Sequence, residues 1–230
     1  MPKPDAVAKE DWAAHLAREE ARYRDGEARL TDDSNTGGDR DARQRQLTRL
    51  GNAAGGAGLS LLMLGRRDEA DDWLARAAGR YRESFRDAPP GSWGRPIGAV
   101  KSLVLAGDWA QAEEAARWAL ESGAADADSS IGRYAAAVAL LVLGRGPEAR
   151  EHADAIRTRD DFPKDVGDAL AFLAAEDVAG YATAVESVLE SFETRDEYLE
   201  DLPVADTVLV LQALAERRGM AVELSSPLLP

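Results

Sequence analysis

The sequence contains no cysteine and only two histidines, His15 and His152. Without cysteine the chain can form no disulfide, no thiolate metal site and no thiol nucleophile. Two histidines are too few for a metal site built on histidine, and the Gly-x-Ser-x-Gly turn that presents a catalytic serine does not occur. Both histidines fall beside alanines on helical faces, where we expect partly buried structural side chains. These absences predict a non-enzymatic protein that carries no catalytic, cofactor-binding or metal-ligating residue.

Long apolar runs and basic clusters are missing as well. The longest apolar stretch, residues 134–143, falls well short of the roughly 20 residues that a membrane-spanning helix needs. Residues 1–20 lack the basic start and apolar centre of a signal peptide, so we expect a cytoplasmic location. The chain holds 42 acidic against 28 basic residues, and its net charge of −14 repels phosphate backbones. Neither nucleic acid nor a membrane is therefore an expected partner.

The surplus of acidic residues has two interpretations, which the sequence leaves open. Hydrated carboxylates keep proteins dissolved in a salty cytoplasm, so the charge can be an adaptation of the whole surface. Alternatively, an acidic face attracts a basic protein partner and accelerates its association.

Alanine is abundant, and internal repeats organise the chain. Three segments share one pattern, in which an apolar helix end is followed by a glycine and, five positions later, by an alanine of a second amphipathic helix. They are residues 61–65 with Ala70, 103–107 with Ala112, and 140–144 with Ala149. Glycine at this place is typical of a helix C-cap, because it adopts positive φ without steric cost.

After each alanine, small or apolar residues recur at the spacing of one helical face. The predicted inward faces are Ala70, Trp73, Leu74 and Ala77; Ala112, Ala115, Ala116 and Ala119; and Ala149, His152, Ala153 and Ile156. A weaker fourth copy follows residues 172–175, with Val178, Tyr181, Ala182, Val185 and Val188 facing inward.

The fold class that follows is all-α, with tandem antiparallel helical hairpins forming a TPR-like superhelix or solenoid of about 10–11 helices. An N-terminal helix is expected near 6–28, within a segment 1–30, and a polar loop at 31–41. The repeat domain then covers 42–230, so that the chain forms a single domain overall. The predicted hairpins are 42–64 with 68–86, 97–106 with 109–122, 130–143 with 148–158, and 164–175 with 178–192. A last helix is expected at 204–218, with the apolar run 222–230 packed back on it.

The glycines within residues 51–58 do not form a phosphate-binding loop, because no Gly-Lys-Ser/Thr follows and no strand precedes them. Small residues there predict close packing of helices. The acidic residues at 68–72 are expected to be a solvated helix surface.

Two regions are candidate partner-binding surfaces. Trp93 and Arg95 lie in the irregular connection 91–96, where tryptophan and arginine are typical binding hot spots. Trp93 is either an exposed anchor or a cover over the edge of a hairpin. The second candidate is an acidic cluster made of Glu193, Asp196, Glu197, Glu200 and Asp201.

The C-terminal sequence is similar to that of a known family. Residues 191–196 (SFETRD) lead to 208–215 (VLVLQALA), then to 218–224 (RGMAVEL) and the closing 225–230 (SSPLLP). This succession resembles the end of the immunity protein 49 family of polymorphic toxin systems. The resemblance implies an all-α protein that binds and neutralises a toxin without catalysis.

The functional hypothesis is thus a protein-interaction module with a basic protein partner and no cofactor. Two alternatives stay open. One is an enzyme with a carboxylate-based metal site between helices. The other is a structural subunit of a larger complex, with an exposed apolar patch around Leu228 and Leu229.

Overall fold

The computed structural model describes residues 11–31 and 39–230, and within them the chain is all-α, with no strand. The N-terminal part of the predicted helix 6–28 and most of the predicted loop 31–41 lie outside the described residues. The helices are α1 Trp12–Thr31, α2 Arg40–Met63, α3 Arg67–Phe85, α4 Gly94–Leu105, α5 Trp109–Glu121, α6 Ser130–Val142, α7 Gly146–Arg157, α8 Lys164–Ala174, α9 Val178–Glu193 and α10 Asp206–Glu216. Short 3₁₀ turns occupy Ala124–Asp126 and Leu199–Asp201.

Successive helices pack on each other in chain order, as in a helical repeat. From α2 onward the predicted helices agree with the observed ones to within one turn, whereas α1 begins at Trp12 and ends at Thr31. The all-α helical-repeat fold and the division into hairpins are therefore confirmed.

Glycine closes three of the hairpins at the predicted positions. Gly65, Gly107 and Gly144 have φ of +72°, +70° and +71°. At the first of these turns the amide of Arg66 donates to the carbonyl of Leu61 at 2.9 Å, the long hydrogen bond of a Schellman cap. The other two turns contain the equivalent bond, so the same capping motif reverses the chain at all three turns.

The fourth hairpin closes in the same way without a glycine. Glu176 takes the left-handed conformation, with φ of +55°, and the amide of Asp177 donates to the carbonyl of Phe172 at 3.0 Å. A non-glycine residue in this conformation is strained, because its Cβ crowds the following carbonyl.

The predicted start of the inward face of α9 is wrong. Val178 is the first residue of α9 and is 52% exposed. The position equivalent to Ala149 is Tyr181, because its amide donates to Asp177 just as the amide of Ala149 donates to Arg145. The fourth repeat therefore carries a buried tyrosine where the others carry an alanine.

The core consists largely of alanine and leucine between adjacent helices. The three predicted alanine faces are buried, while Trp73 and His152 at their edges are half-buried. Glycines bring α2 close to α3, since a Cβ added at Gly51 would lie 2.8 Å from the Tyr81 ring and one at Gly58 would lie 2.7 Å from Leu74. The predicted close packing is confirmed.

The C-terminal run folds back on α10, as predicted. The side-chain amide of Gln212 donates to the carbonyl of Val222, and the amide of Ala205 donates to the carbonyl of Leu228 at 3.0 Å. Leu228 is buried and Leu229 half-buried. The apolar patch expected around these two leucines is therefore covered by the protein itself.

Helix α10 does not continue the stack outward but packs against α4, α8 and α9. It thereby closes part of the face formed by α2, α4 and α6. Along the described residues, no helix has the length and hydropathy that crossing a bilayer would require.

Candidate binding cleft

A cleft of about 700 Å³ lies between the inner helices and the C-terminal part of the chain. One wall comes from α2, α4, α6 and the start of α8. The other wall comes from the end of α9, the start of α10 and the segment that joins them, residues 194–205, which we call the strap. We call this space the inner cleft.

Part of the inner cleft is apolar and open. Ile131, at the start of α6, lines it and remains 45% exposed. The Phe162 ring lies 5.3 Å from that of Tyr134 beside it. Gly55 and Gly94 also line the inner cleft, and a Cβ at either would meet nothing closer than 3.9 Å. Unlike Gly51 and Gly58, these two glycines are not required by the packing of the helices.

The floor of the inner cleft contains a nearly buried ion pair. The Lys101 ammonium donates to the Asp206 carboxylate at 2.5 Å and to the Thr207 hydroxyl at 3.3 Å. Burial lowers the pKa of Lys101, but the nearby charge of Asp206, the Tyr134 hydroxyl and the hydrogen bond to Asp206 outweigh it, so that the net pKa is raised. The pair joins α4 to α10 and fixes the position of the last helix.

Arg95 extends from the start of α4 toward α2 and has no carboxylate partner in the part of the chain that the structure describes. Its Nε donates to the Thr48 hydroxyl at 3.1 Å, and its Nη2 donates to the side-chain oxygen of Gln44. Burial lowers the pKa of Arg95, and no nearby acidic group opposes this effect. The two side chains that hold the guanidinium, Thr48 and Gln44, are both neutral.

The strap is tied across α1 and α2 by Glu200. Its carboxylate accepts from Asn52 at 2.7 Å and from Arg22 at 2.5 Å, and its carbonyl accepts from Arg18 at 3.1 Å. Glu200 and Asp201 both have φ of +55°, a conformation that costs free energy for residues with a Cβ. Burial raises the pKa of Glu200, but the hydrogen bonds from Arg22 and Asn52 and the charges of Arg22 and Arg18 outweigh it, so the net pKa is lowered.

Trp93 covers a hairpin edge and is not an exposed anchor. It is half-buried, its ring lies 6.0 Å from that of Phe85, and it packs against the backbone of Gly132. Of the two interpretations from the sequence, the cover over a hairpin edge is therefore the one observed. Arg95, two positions later, turns to the inner cleft instead, so Trp93 and Arg95 do not form one hot spot.

The acidic cluster is divided by the fold. Glu200 lies in the wall of the inner cleft with its carboxylate paired. The other members, Glu193, Asp196, Glu197 and Asp201, are exposed and make no ion pair within the described residues. They form a solvated surface on the outer side of the strap region.

Several cleft residues were not anticipated from the sequence. Lys101 had a detectable signal, because it is the one charged residue within the apolar helix 97–106 and a buried ammonium requires an anionic partner. Asn52 had none, since Glu200, the residue that it contacts, lies 148 positions away in the sequence.

The histidines lie apart from the inner cleft. Both are half-buried, and burial, followed by the charge of Arg133, lowers the pKa of His152. Across residues 11–31 and 39–230, no three histidine, aspartate or glutamate side chains are grouped so that they could hold a metal ion.

Comparison with protein-family models, with curated proteins and with solved structures gives no significant match to this chain.

Proposed function

We propose that the chain is a non-enzymatic protein-interaction module and that a segment of its partner lies in the inner cleft. The observation that carries the proposal is a cleft of about 700 Å³ in which a large apolar side chain, Ile131, is left 45% exposed. Concave faces of helical repeats commonly bind extended or helical segments of other proteins.

Two features support binding in the inner cleft over binding on the outer surface. The cleft combines exposed apolar area with fixed polar groups, the usual composition of a recognition site. Its walls are also held in place before a partner arrives, by the Lys101–Asp206 pair and by the bonds of Glu200. Such preorganisation reduces the entropy lost on binding.

The C-terminal resemblance to the immunity protein 49 family suggests a narrower form of the proposal, in which the partner is a toxin. Neither the carboxylate metal site nor the exposed apolar patch at Leu228 and Leu229, which the two alternatives from the sequence called for, is found among the described residues.

Substitution of Gly55 tests the proposal. A stable partner is first purified with the tagged chain from its host and reconstituted as a defined complex. Gly55→Phe should weaken this complex by tenfold or more, because the phenyl ring fills the cleft where only a small residue now lies. Affinity is measured by calorimetry on the purified pair.

Gly55→Ala is the matched control. Its Cβ meets nothing closer than 3.9 Å, so folding and affinity should both be retained. A complex that tolerates Gly55→Phe as well as Gly55→Ala would place the partner elsewhere and reject the inner cleft as its site.

A further inference from the structure

Arg95 differs from the other cations of the inner cleft in what surrounds it. Lys101 is paired with Asp206, and Arg195 stacks on the Phe192 ring at 3.7 Å on the exposed end of α9. Arg95 is half-buried, and among the described residues its hydrogen bonds go only to Thr48 and Gln44. In a chain of net charge −14, Arg95 is thus a guanidinium that forms no ion pair with any residue of 11–31 or 39–230.

The hydrogen bonds of Arg95 leave one edge of the guanidinium open. Nε and one hydrogen of Nη2 are used, whereas Nη1 has no hydrogen-bond partner within the described residues. Gln44 is itself fixed, because its amide nitrogen donates to Asp41 at 2.9 Å. The free Nη1–Nη2 edge is therefore held in one orientation, and this edge binds carboxylates with two parallel hydrogen bonds.

The rest of the inner cleft limits the ligand to a single negative charge and provides an apolar surface beside it. The acidic residues of the lining would repel a doubly charged phosphate more strongly than a carboxylate. They are Asp161, Asp165, Glu200 and Asp206. Ile131 and Phe162 provide the apolar surface. The complementary ligand is thus an aspartate or glutamate side chain beside an apolar residue.

We infer that Arg95 anchors an acidic side chain of the partner segment in the inner cleft. The inference rests on the proposed function and specifies its ligand chemistry. It differs from the expectation of a basic partner, which was drawn from the net charge of the chain. A basic partner protein could bind Arg95 only through an acidic residue of its own.

A phage-displayed library of random 12-residue peptides, panned on the full chain, tests the inference. We expect the enriched peptides to carry aspartate or glutamate close to an aliphatic or aromatic residue. In synthetic peptides, changing that acid to its amide should weaken binding to the wild-type chain about tenfold, measured by fluorescence anisotropy.

The same amide change should have little effect on binding to Arg95→Gln, because the acid and Arg95 interact with each other. Arg95→Lys should keep part of the preference, since it retains the charge but loses the two-bond geometry. If Arg95→Gln does not fold, Arg95→Lys takes its place as the test variant. The control is Arg150→Gln, the same change of charge at an exposed arginine of α7 that pairs with Asp154.

Two results would overturn the inference in distinguishable ways. Peptides without an acid, whose binding is lost in Gly55→Phe but unchanged in Arg95→Gln, would refute the role of Arg95 and leave the proposed function standing. Acidic peptides that bind Gly55→Phe as well as wild type would refute both, because they would lie outside the inner cleft.

Discussion

At the scale of single residues, backbone conformation decides which positions of the repeats are under strain. Three hairpins use glycine at positive φ, whereas the fourth uses Glu176. The glycine turns were predictable because the pattern is local. The register of the fourth was not, since neither a glycine nor an alanine marks it, and Tyr181 instead reaches Gln212 of α10 at 2.9 Å.

Glu176→Gly should stabilise the protein by about 1 kcal/mol, because it removes the strain of a Cβ at positive φ. The measurement is chemical unfolding followed by circular dichroism. Gly144→Ala should destabilise the protein by a similar amount, because a residue with a Cβ is strained at a φ of +71°. The added Cβ meets nothing within 4 Å, so this strain is the whole effect. Glu176→Ala, which removes the carboxylate but keeps the strain, should lie close to wild type. A gain in Glu176→Ala equal to that in Glu176→Gly would assign the effect to charge instead.

At the scale of elements, the strap shows why part of the candidate site escaped prediction. The acidic cluster was treated as one surface because its members are close in sequence. In the fold, Glu200 turns inward to Arg22 and Asn52 while its neighbours face water. The partners of Glu200 are far from it in sequence, so these contacts leave no local sequence pattern. The helix bounds, by contrast, follow from spacing and caps and were recovered along the described chain.

Glu200→Gln should destabilise the protein by about 1–2 kcal/mol at pH 7, because charge-assisted bonds to the carboxylate are lost. The folded-state pKa of Glu200 is lowered, so its contribution is present above the unfolded pKa of about 4.3 and disappears as the pH falls through the lower folded value. Urea unfolding should therefore show a larger difference between variant and wild type at pH 7 than at pH 3.

Glu197→Gln is the matched control for this test. Glu197 is exposed and forms no ion pair within the described residues, so its replacement should leave stability unchanged at both values of pH. Equal effects of the two substitutions would show that general charge, and not the strap, determines the pH dependence.

At the scale of the whole molecule, net charge and cleft chemistry make opposite predictions about the partner. The surplus of 42 acidic over 28 basic residues predicts a basic partner, whose association slows as salt is added. Arg95 predicts an acidic segment, which the rest of the surface repels at long range. Composition alone could not reveal this, because the inner cleft exists only once α10 folds back onto α4.

Association rates should therefore increase with ionic strength for an acidic peptide that binds the inner cleft. Salt screens the long-range repulsion between peptide and protein, whereas the half-buried contact with Arg95 is screened less by salt. Stopped-flow fluorescence between about 0.05 and 0.5 M NaCl measures the effect. The amide form of the peptide should show little salt dependence. A rate that falls with added salt would contradict this prediction, because it would show that the acidic peptide is attracted to the protein and not repelled by it.

The bonds of Glu200 with Arg18 and Arg22 join a helix near one end of the repeat stack to a segment near the other. In an open solenoid, gene duplication can add a hairpin at little cost, because each unit touches only its neighbours. Here an inserted hairpin would separate Glu200 from α1 and pull α10 away from Lys101. The number of hairpins is consequently fixed, and divergence of such chains is expected through exchange of side chains and not through growth or loss of repeats.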